Sequence, residues 1–287
     1  MIFWKIWQAK GGKGMLESLL HYEFLQNSFM TGIIIGLIAP FLGVFIVIRK
    51  QSLIADALSH VTLAGISAGV LLSSSYPLFF GFNPLYSGLV FSVGGALFIE
   101  KLRGFYKHYE ELAIPIIMSV GVGMAVVFLS LAKGANVDIM GYLFGSISAV
   151  GRDDLYVVIG ISIFVLIAIF LILKELFTLS FDEEYGKTQG LPSRQIQFVF
   201  IFAVALTIVI SMRIVGTLLV SALMTLPVAA AIRLAKSFKQ SILYSVVFGE
   251  ISVIGGLIIA FYLDLAPGGT IVLLAALLLL LAIFKNY

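Results

Sequence analysis

Long apolar runs that carry almost no charge recur along this chain of 287 residues, and they constrain its fold more than any other feature. A run of about 20 apolar residues is long enough to cross the hydrocarbon core of a bilayer as a helix. Soluble proteins have about a quarter charged residues, whereas here 11% are charged and 61% are hydrophobic. The sequence therefore predicts an all-α, polytopic membrane protein with about eight or nine transmembrane helices.

Polar residues between the apolar runs mark the boundaries of the predicted spans. Helices are expected because a bilayer offers no partner to a backbone group outside a helix or a closed barrel. The spans are expected near residues 29–48, 53–74, 85–100, 112–132, 154–174, 196–212, 215–232, 241–262 and 269–284. Residues 1–28 are interpreted as an N-terminal interfacial segment, and residues 29–287 as one transmembrane domain.

Charge and composition limit the function. Placing the loop after Ile48 in the cytoplasm puts most Lys and Arg on that side, as the positive-inside rule requires. The net charge of +3 therefore reflects topology and does not indicate nucleic-acid binding. The absence of cysteine excludes disulfides and thiolate metal ligands. The sequence contains no motif of a zinc protease, serine hydrolase or nucleotide-binding loop, so a separate chain must bind any ATP.

Two connections are too long and too polar to be simple turns. Residues 133–153 are predicted to lie outside the cell, with a re-entrant or surface helix around Tyr142–Val150. Residues 175–195 are predicted to lie in the cytoplasm, where Ser180 is expected to cap a short helix with acidic residues in its first turn. This cytoplasmic segment is either a docking element or a solvated linker.

Asp56, His60 and Glu250 are the ionisable residues expected deep within the spans. Such residues are costly in lipid, which makes each a functional candidate. Because Asp56 and His60 are four residues apart, they share one helix face, where a carboxylate and an imidazole can hold one divalent cation. Counting from Lys50 and Lys239 at 1.5 Å per residue puts His60 and Glu250 at similar depths of about 15 Å. The three converge if both helices face one cavity.

Structural roles stay open for the same three residues. The basic residues just before the second span are close enough in sequence to pair with Asp56. A histidine within a span often hydrogen-bonds to a neighbouring helix, which is the alternative for His60. Glu250 has Ser252 or Thr225 as alternative partners.

A segment at Ile48–Val70, IRKQSLIADALSHVTLAGISAGV, resembles the membrane subunits of ABC transporters that import zinc or manganese. The signature positions of that family are matched by Arg49, Leu53, Asp56, Ser59, His60, Leu63 and Gly65. Further segments are similar to family motifs in the same order: Gly141–Ser146, Phe181–Pro192, Val215–Pro227, Ala235–Phe238 and Tyr262–Val272. The chain departs from many members at Ala64, where they have proline.

The resemblance implies a homodimeric, multi-pass permease of a bacterial cell membrane, without a permanently bound cofactor. An extracellular metal-binding (lipo)protein would deliver Zn or Mn, and two cytoplasmic ATP-binding subunits would drive transport, so this chain would not be an enzyme. The resemblance places Asp56 and His60 in the ion route, whereas Glu250 is added from its depth alone. The ATPase is implied to dock on residues 181–192, with Phe181, Asp182, Glu183 and Gly190 as coupling residues.

Zinc is the first expectation for the cargo, since the His-Val-Thr-Leu-Ala-Gly form at residues 60–65 is similar to zinc-linked members. Manganese is the second, because carboxylate and imidazole ligands suit both ions. Two other functions stay open. In a proton-coupled secondary carrier, Asp56, His60 and Glu250 would form a proton relay. In a non-transporting scaffold, replacing Asp56 or His60 would leave metal uptake unchanged.

Overall fold

The structure is a computed structural model that describes residues 21–75, 83–106, 109, 112–132, 139–147, 150–217 and 219–285. Every regular element in these residues is a helix. Eight of the helices are long and apolar enough to cross a membrane. The predicted all-α, polytopic fold is therefore confirmed.

Twelve helices are present in the described parts of the chain. In chain order they are α1 (Glu23–Ile48), α2 (Leu53–Ser75), α3 (Pro84–Phe105), α4 (Ala113–Leu131), α5 (Ile139–Phe144), α6 (Arg152–Leu171), α7 (Leu173–Phe181), α8 (Glu183–Thr188), α9 (Ser193–Val215), α10 (Val220–Leu234), α11 (Phe238–Leu263) and α12 (Pro267–Lys285). The eight long ones are α1 to α4, α6, α9, α11 and α12.

α10 takes the place of the span predicted at 215–232, and with 15 residues it is shorter than that span. The reason lies in the preceding turn. α9 continues to Val215, and Gly216 then adopts a positive φ of 84°, a conformation that glycine adopts without a steric penalty. The turn takes up the first residues of the predicted span.

α1 begins before the predicted start of the first span at residue 29. Its first turn contains Glu23, whose charge is favourable at a helix N-terminus. Ser28 is buried, and its hydroxyl donates a hydrogen bond to the backbone carbonyl of Ile147. The end of the predicted interfacial segment therefore belongs to α1. Residues 1–20, the rest of that segment, lie outside the described residues.

The chain divides into two compact units, and the first contains the described residues within 1–41, 140–162 and 210–287. Glycines bring α1 and α11 together in this unit. A Cβ added at Gly32 would lie 2.8 Å from the side chain of Leu257, and one added at Gly249 would lie 2.7 Å from the carbonyl oxygen of Gly36. Small residues allow this close approach between membrane helices.

Three of the segments that resemble family motifs also meet in the first unit. Gly145 and Gly216 both have positive φ, and a Cβ at either would overlap the backbone near the other. A Cβ at Gly268 would overlap the carbonyl of Val215. The backbone N–H of Thr217 also donates to the carbonyl of residue 142, at 2.9 Å. These chain segments approach each other at backbone distance, which only glycine permits.

The short helix predicted around Tyr142–Val150 lies earlier in the chain, and that prediction was wrong in its bounds. The observed helix α5 spans Ile139–Phe144. Its end follows from Gly145, whose φ of 80° turns the chain away from helical geometry.

The second unit contains the described residues within 42–139 and 163–209, and α2 packs against α3 and α4 in it. A Cβ at Gly65 would lie 2.6 Å from the carbonyl oxygen of Ser87, and one at Gly69 would overlap the Ser87 hydroxyl. On α4, a Cβ at Gly121 would lie 3.0 Å from the backbone nitrogen of Val61. Small residues thus set the position of α2 between its neighbours.

Candidate metal route and docking segment

Asp56 and His60 occupy the two accessible positions of an otherwise buried stretch of α2. Between Ile54 and Val70 the other fifteen residues are all buried, whereas these two are half-exposed. Residues four apart lie on the same helix face. The Asp56 carboxylate and the His60 imidazole therefore lie on the same accessible face of α2.

Neighbouring polar residues of α2 are satisfied within the helix. The hydroxyls of Ser59, Thr62 and Ser67 each donate to the carbonyl four residues earlier, at 2.6–2.8 Å. Such bonds let hydroxyl side chains lie buried without partners from other helices. Among the described residues His60 forms no hydrogen bond, in contrast to the alternative of a bond to a neighbouring helix. Its imidazole can therefore act as a metal ligand.

Glu250 lies on α11 in the other unit, with its carboxylate against Gly36 of α1. A Cβ at Gly36 would lie 3.2–3.3 Å from the carboxyl carbon and both of its oxygens. Oε2 of Glu250 is buried and has no hydrogen-bond partner among the described residues. Because Gly36 has no side chain, it leaves the space that the Glu250 carboxylate occupies.

The alternative hydrogen-bond partners expected for Glu250 are engaged elsewhere. The Ser252 hydroxyl donates to the carbonyl of Phe248 at 2.7 Å, and the Thr225 hydroxyl donates to that of Ser221 at 2.9 Å. In the described part of the chain, no three His, Cys, Asp or Glu side chains lie close enough together to hold one ion. The participation of Glu250 alongside Asp56 and His60 stays a prediction.

The cytoplasmic segment forms the short helix α8, and Asp182 is its N-cap. The Asp182 carboxylate accepts a hydrogen bond from the backbone N–H of Tyr185 at 2.8 Å. The prediction that Ser180 caps this helix was wrong, because Ser180 lies within α7 and its hydroxyl donates to the Leu176 carbonyl. Asp182 has the extended backbone that an N-cap requires, with φ −149° and ψ 98°.

α8 ends at Thr188, and two residues later Gly190 adopts a positive φ of 78°. The N–H of Leu191 donates to the carbonyl of Gly186 at 3.1 Å, and the N–H of Gly190 donates to that of Lys187 at 3.0 Å. These two bonds form a Schellman motif, which satisfies the last carbonyls of the helix. A Cβ at Gly186 would lie 2.5 Å from the Leu179 side chain, so α8 is held closely against α7.

The outer surface of this segment is aromatic and acidic. Phe181 is 60% exposed and Tyr185 is 54% exposed. Glu183 is also exposed, and its ion pair with Lys187 at 2.8 Å holds the pKa of its carboxyl below the usual range, with further lowering by Arg49. Exposed aromatic side chains beside charged residues are typical of a protein interface.

Sequence reasoning missed a group of basic side chains in the second unit. The sequence pattern used Lys101 and Arg103 only to orient the predicted spans, and Arg49 also as a position of the family signature. The structure brings them together with Glu183 and Lys187 around one cleft. Because these residues come from three separate parts of the chain, no local spacing could indicate that they are neighbours.

Comparison with known proteins gives a consistent result. The sequence profile described as the ABC 3 transport family matches residues 21–286. The chain is 32% identical over 269 residues to the manganese import system permease protein ScaB of Streptococcus gordonii, covering 94% of each chain. It is 31% identical over 266 residues to the high-affinity zinc uptake system membrane protein ZnuB of Haemophilus influenzae, covering 92% of this chain and 98% of the relative.

The fold is also similar to a solved structure, PsaBC from Streptococcus pneumoniae in complex with Fab. The TM-score is 0.80 and the identity is 32%, with 94% of both chains covered. The similarity therefore extends over nearly the whole chain, including α2 and the cytoplasmic segment.

Proposed function

Because this chain belongs to the ABC 3 transport family, we propose that it is the membrane-spanning permease of an ATP-driven divalent metal importer. Zinc is the proposed cargo, with manganese as the next candidate. The chain is similar to a zinc uptake protein and to a manganese import protein, so both ions have support from relatives. The His-Val-Thr-Leu-Ala-Gly sequence at residues 60–65 supports zinc.

The observation that carries this proposal is the accessible face of α2. In a helix stretch that is otherwise buried, the two half-exposed residues are an acid and a histidine one turn apart. Ionisable side chains inside membrane proteins line pathways for ions and protons. We therefore assign Asp56 and His60 to the ion route.

Their chemistry suits transient binding of a dication. The Asp56 carboxylate compensates positive charge in a low-dielectric environment, and the His60 imidazole favours transition metals over Ca²⁺ and Mg²⁺. Glu250 is the third proposed ligand. A small number of protein ligands leaves the remaining coordination positions to water, which allows release, whereas a closed four-ligand site retains its metal.

Energy is proposed to come from two cytoplasmic ATP-binding subunits, which dock on a homodimer of this chain. The exposed aromatic and acidic surface of α7 and α8 supports the docking role, with Phe181, Asp182, Glu183 and Gly190 as coupling residues. On the other side of the membrane, an extracellular metal-binding (lipo)protein is proposed to deliver the ion. The chain hydrolyses no ATP itself.

The proposal is tested with the full complex reconstituted in proteoliposomes. We expect Zn²⁺, presented with the binding protein, to stimulate ATP hydrolysis and to accumulate in the lumen. Mn²⁺ at the same free concentration should give a smaller response. Uptake that continues without the ATPase subunits would contradict the proposal and favour a proton-coupled carrier.

The docking role has its own test. Replacing Asp182 and Glu183 with Lys should lower copurification of the ATPase while the permease remains folded. The matched control replaces Asp153 and Asp154 with Lys, because this acidic pair begins α6 on the side predicted to lie outside. An unchanged yield of the complex in the first variant would contradict docking at α8.

A further inference from the structure

A cleft of about 570 Å³ in the second unit is lined in part by Glu183 and Lys187 of the docking segment, and its other basic side chains have no role in the metal route proposed above. Its charged lining consists of five basic residues and two acidic ones: Arg49, Lys101, Arg103, Lys187, Arg194, Glu100 and Glu183. Its volume lies within the range of known small-molecule sites, about 300–1,000 Å³. The excess of positive charge indicates an anionic ligand.

Both carboxylates of the cleft are already paired on their own helices. Glu100 accepts from Arg103 at 3.4 Å, and Glu183 pairs with Lys187 at 2.8 Å. Arg49, Lys101 and Arg194 form no salt bridge to a carboxylate of the described residues. Three positive charges are therefore left for a ligand.

Arg49 is the most constrained of these three residues. Its guanidinium lies 5.7 Å from the centre of the Phe200 ring, and its Nη1 is buried without a hydrogen-bond partner among the described residues. Burial lowers the pKa of Arg49, an effect that Glu183 partly opposes. An unpartnered buried donor is costly, and a guanidinium has the planar geometry that binds two oxygens of a phosphate.

The location of the cleft indicates where such an anion is available. α1 ends at Ile48, α3 ends at Phe105 and α9 begins at Ser193, so the cleft lies where these membrane helices end. This end is the one predicted to face the cytoplasm. Basic pockets at the cytoplasmic ends of membrane helices bind anionic lipid headgroups.

We propose that this cleft binds a phosphate-bearing anion through Arg49, Lys101 and Arg194. The phosphate comes either from the headgroup of an anionic phospholipid in the cytoplasmic leaflet or from free phosphate. The proposal does not depend on which metal the protein transports, or on transport itself.

The lipid source is tested by native mass spectrometry of the purified chain in an uncharged detergent. We expect the wild-type protein to retain added phosphatidylglycerol in preference to phosphatidylcholine. The variant R49Q/K101Q/R194Q should retain at least about tenfold less phosphatidylglycerol, because each basic residue near a membrane surface attracts anionic lipid. The matched control K174Q/K236Q/K239Q removes the same charge from exposed lysines on the side predicted to be cytoplasmic and should retain phosphatidylglycerol like the wild type.

Free phosphate is tested by calorimetric titration of the same three proteins with inorganic phosphate. Binding that is lost in R49Q/K101Q/R194Q and kept in the control identifies a soluble ligand. Retention of lipid without binding of inorganic phosphate identifies the lipid headgroup. If the triple variant does not elute as a single folded species, K101Q/R194Q provides the same comparison with Arg49 intact.

Two results would overturn the proposal. One is that the control loses as much binding as the cleft variant. The other is that the cleft variant binds both probes as the wild type does; copurification with the ATPase is then measured for this variant, and its loss would assign the cleft's basic residues to the ATPase. The cleft would then be a protein contact.

Discussion

α2 and α8 are both helices, but different forces define them. α2 has 23 residues, and its position is set by close contacts of Gly65 and Gly69 with α3. α8 has six residues, and its ends are fixed by its own side chains and backbone, with Asp182 at the start and Gly190 at the end. One helix is defined by its neighbours and the other mainly by its local sequence.

This difference indicates what each helix can do. A helix held on most sides can present a few side chains rigidly, as α2 presents Asp56 and His60. A short, exposed helix that is folded by local capping keeps its outer surface available to a partner. Substitutions should therefore have large, long-range effects in α2 and small, local effects in α8.

The largest effect is expected at the accessible face of α2. D56N and H60A should each lower metal uptake by the reconstituted complex at least about tenfold, which corresponds to about 1.4 kcal/mol. The reason is that each would remove one of the few ligands proposed for the ion. H21Q is the matched control, since His21 is an exposed histidine at the start of the described chain. Normal uptake by well-expressed D56N or H60A would favour the scaffold hypothesis.

The next effect concerns the contact that positions α2. G65A should lower the free energy of unfolding by about 1–3 kcal/mol, because the new methyl group meets the Ser87 carbonyl and the Phe91 side chain. G94A on α3 is the control, because a Cβ there meets nothing within 4 Å. Thermal denaturation in detergent measures both. Equal unfolding temperatures for the two variants would show that α2 is not held by this contact.

A smaller effect is expected at the start of α8. D182A removes the N-cap and should destabilise this helix by about 1 kcal/mol. The Tyr185 amide donates a hydrogen bond to the Asp182 carboxylate. Hydrogen exchange at this amide should therefore become faster in D182A, while exchange in α2 stays the same. S180A should have little effect on that amide, since Ser180 bonds within α7. If S180A accelerated it as much as D182A, the assignment of the cap would be wrong.

The smallest effect is expected at the ion pair of α8. The Lys187 ammonium lowers the pKa of the Glu183 carboxyl, so the pair stabilises α8 fully above the usual carboxyl pKa of 4.5 and loses this effect as the pH falls through the lowered value. Exposed pairs of this kind contribute about 0.3–0.5 kcal/mol.

K187Q should raise the pKa of Glu183, as measured by NMR titration of carbon-13-labelled glutamate in the detergent-solubilised protein. K239Q, which changes an exposed lysine outside this pair, should leave it unchanged. If the pKa of Glu183 in K187Q equalled that in the wild type, the ion pair with Lys187 would not be the cause of the lowered pKa.

Much of the fold was predictable because the signals are local. Apolar runs between polar segments identified the eight long helices, and the spacing of Asp56 and His60 identified their shared face. The cap of α8 was harder to predict, because Ser180 and Asp182 are both good N-caps. Only the backbone conformation at Asp182 decides between them.

Burial of the helices was not predictable from their apolar character. α1 and α6 are both strongly apolar. In an 18-residue apolar stretch of each helix, 72% of the residues of α1 are buried, compared with 22% of those of α6. In a bilayer, lipid and protein interior are equally apolar, so composition does not distinguish a central helix from one that faces lipid.

The sequence alone determined that this is a multi-pass helical membrane protein with an acid and a histidine one turn apart, since these features depend on composition and helical periodicity. Tertiary structure decided which side of α2 is accessible, that Glu250 lies against Gly36, and that the basic residues around Arg49 share a cleft. These depend on contacts between residues far apart in the chain, which no local sequence pattern records.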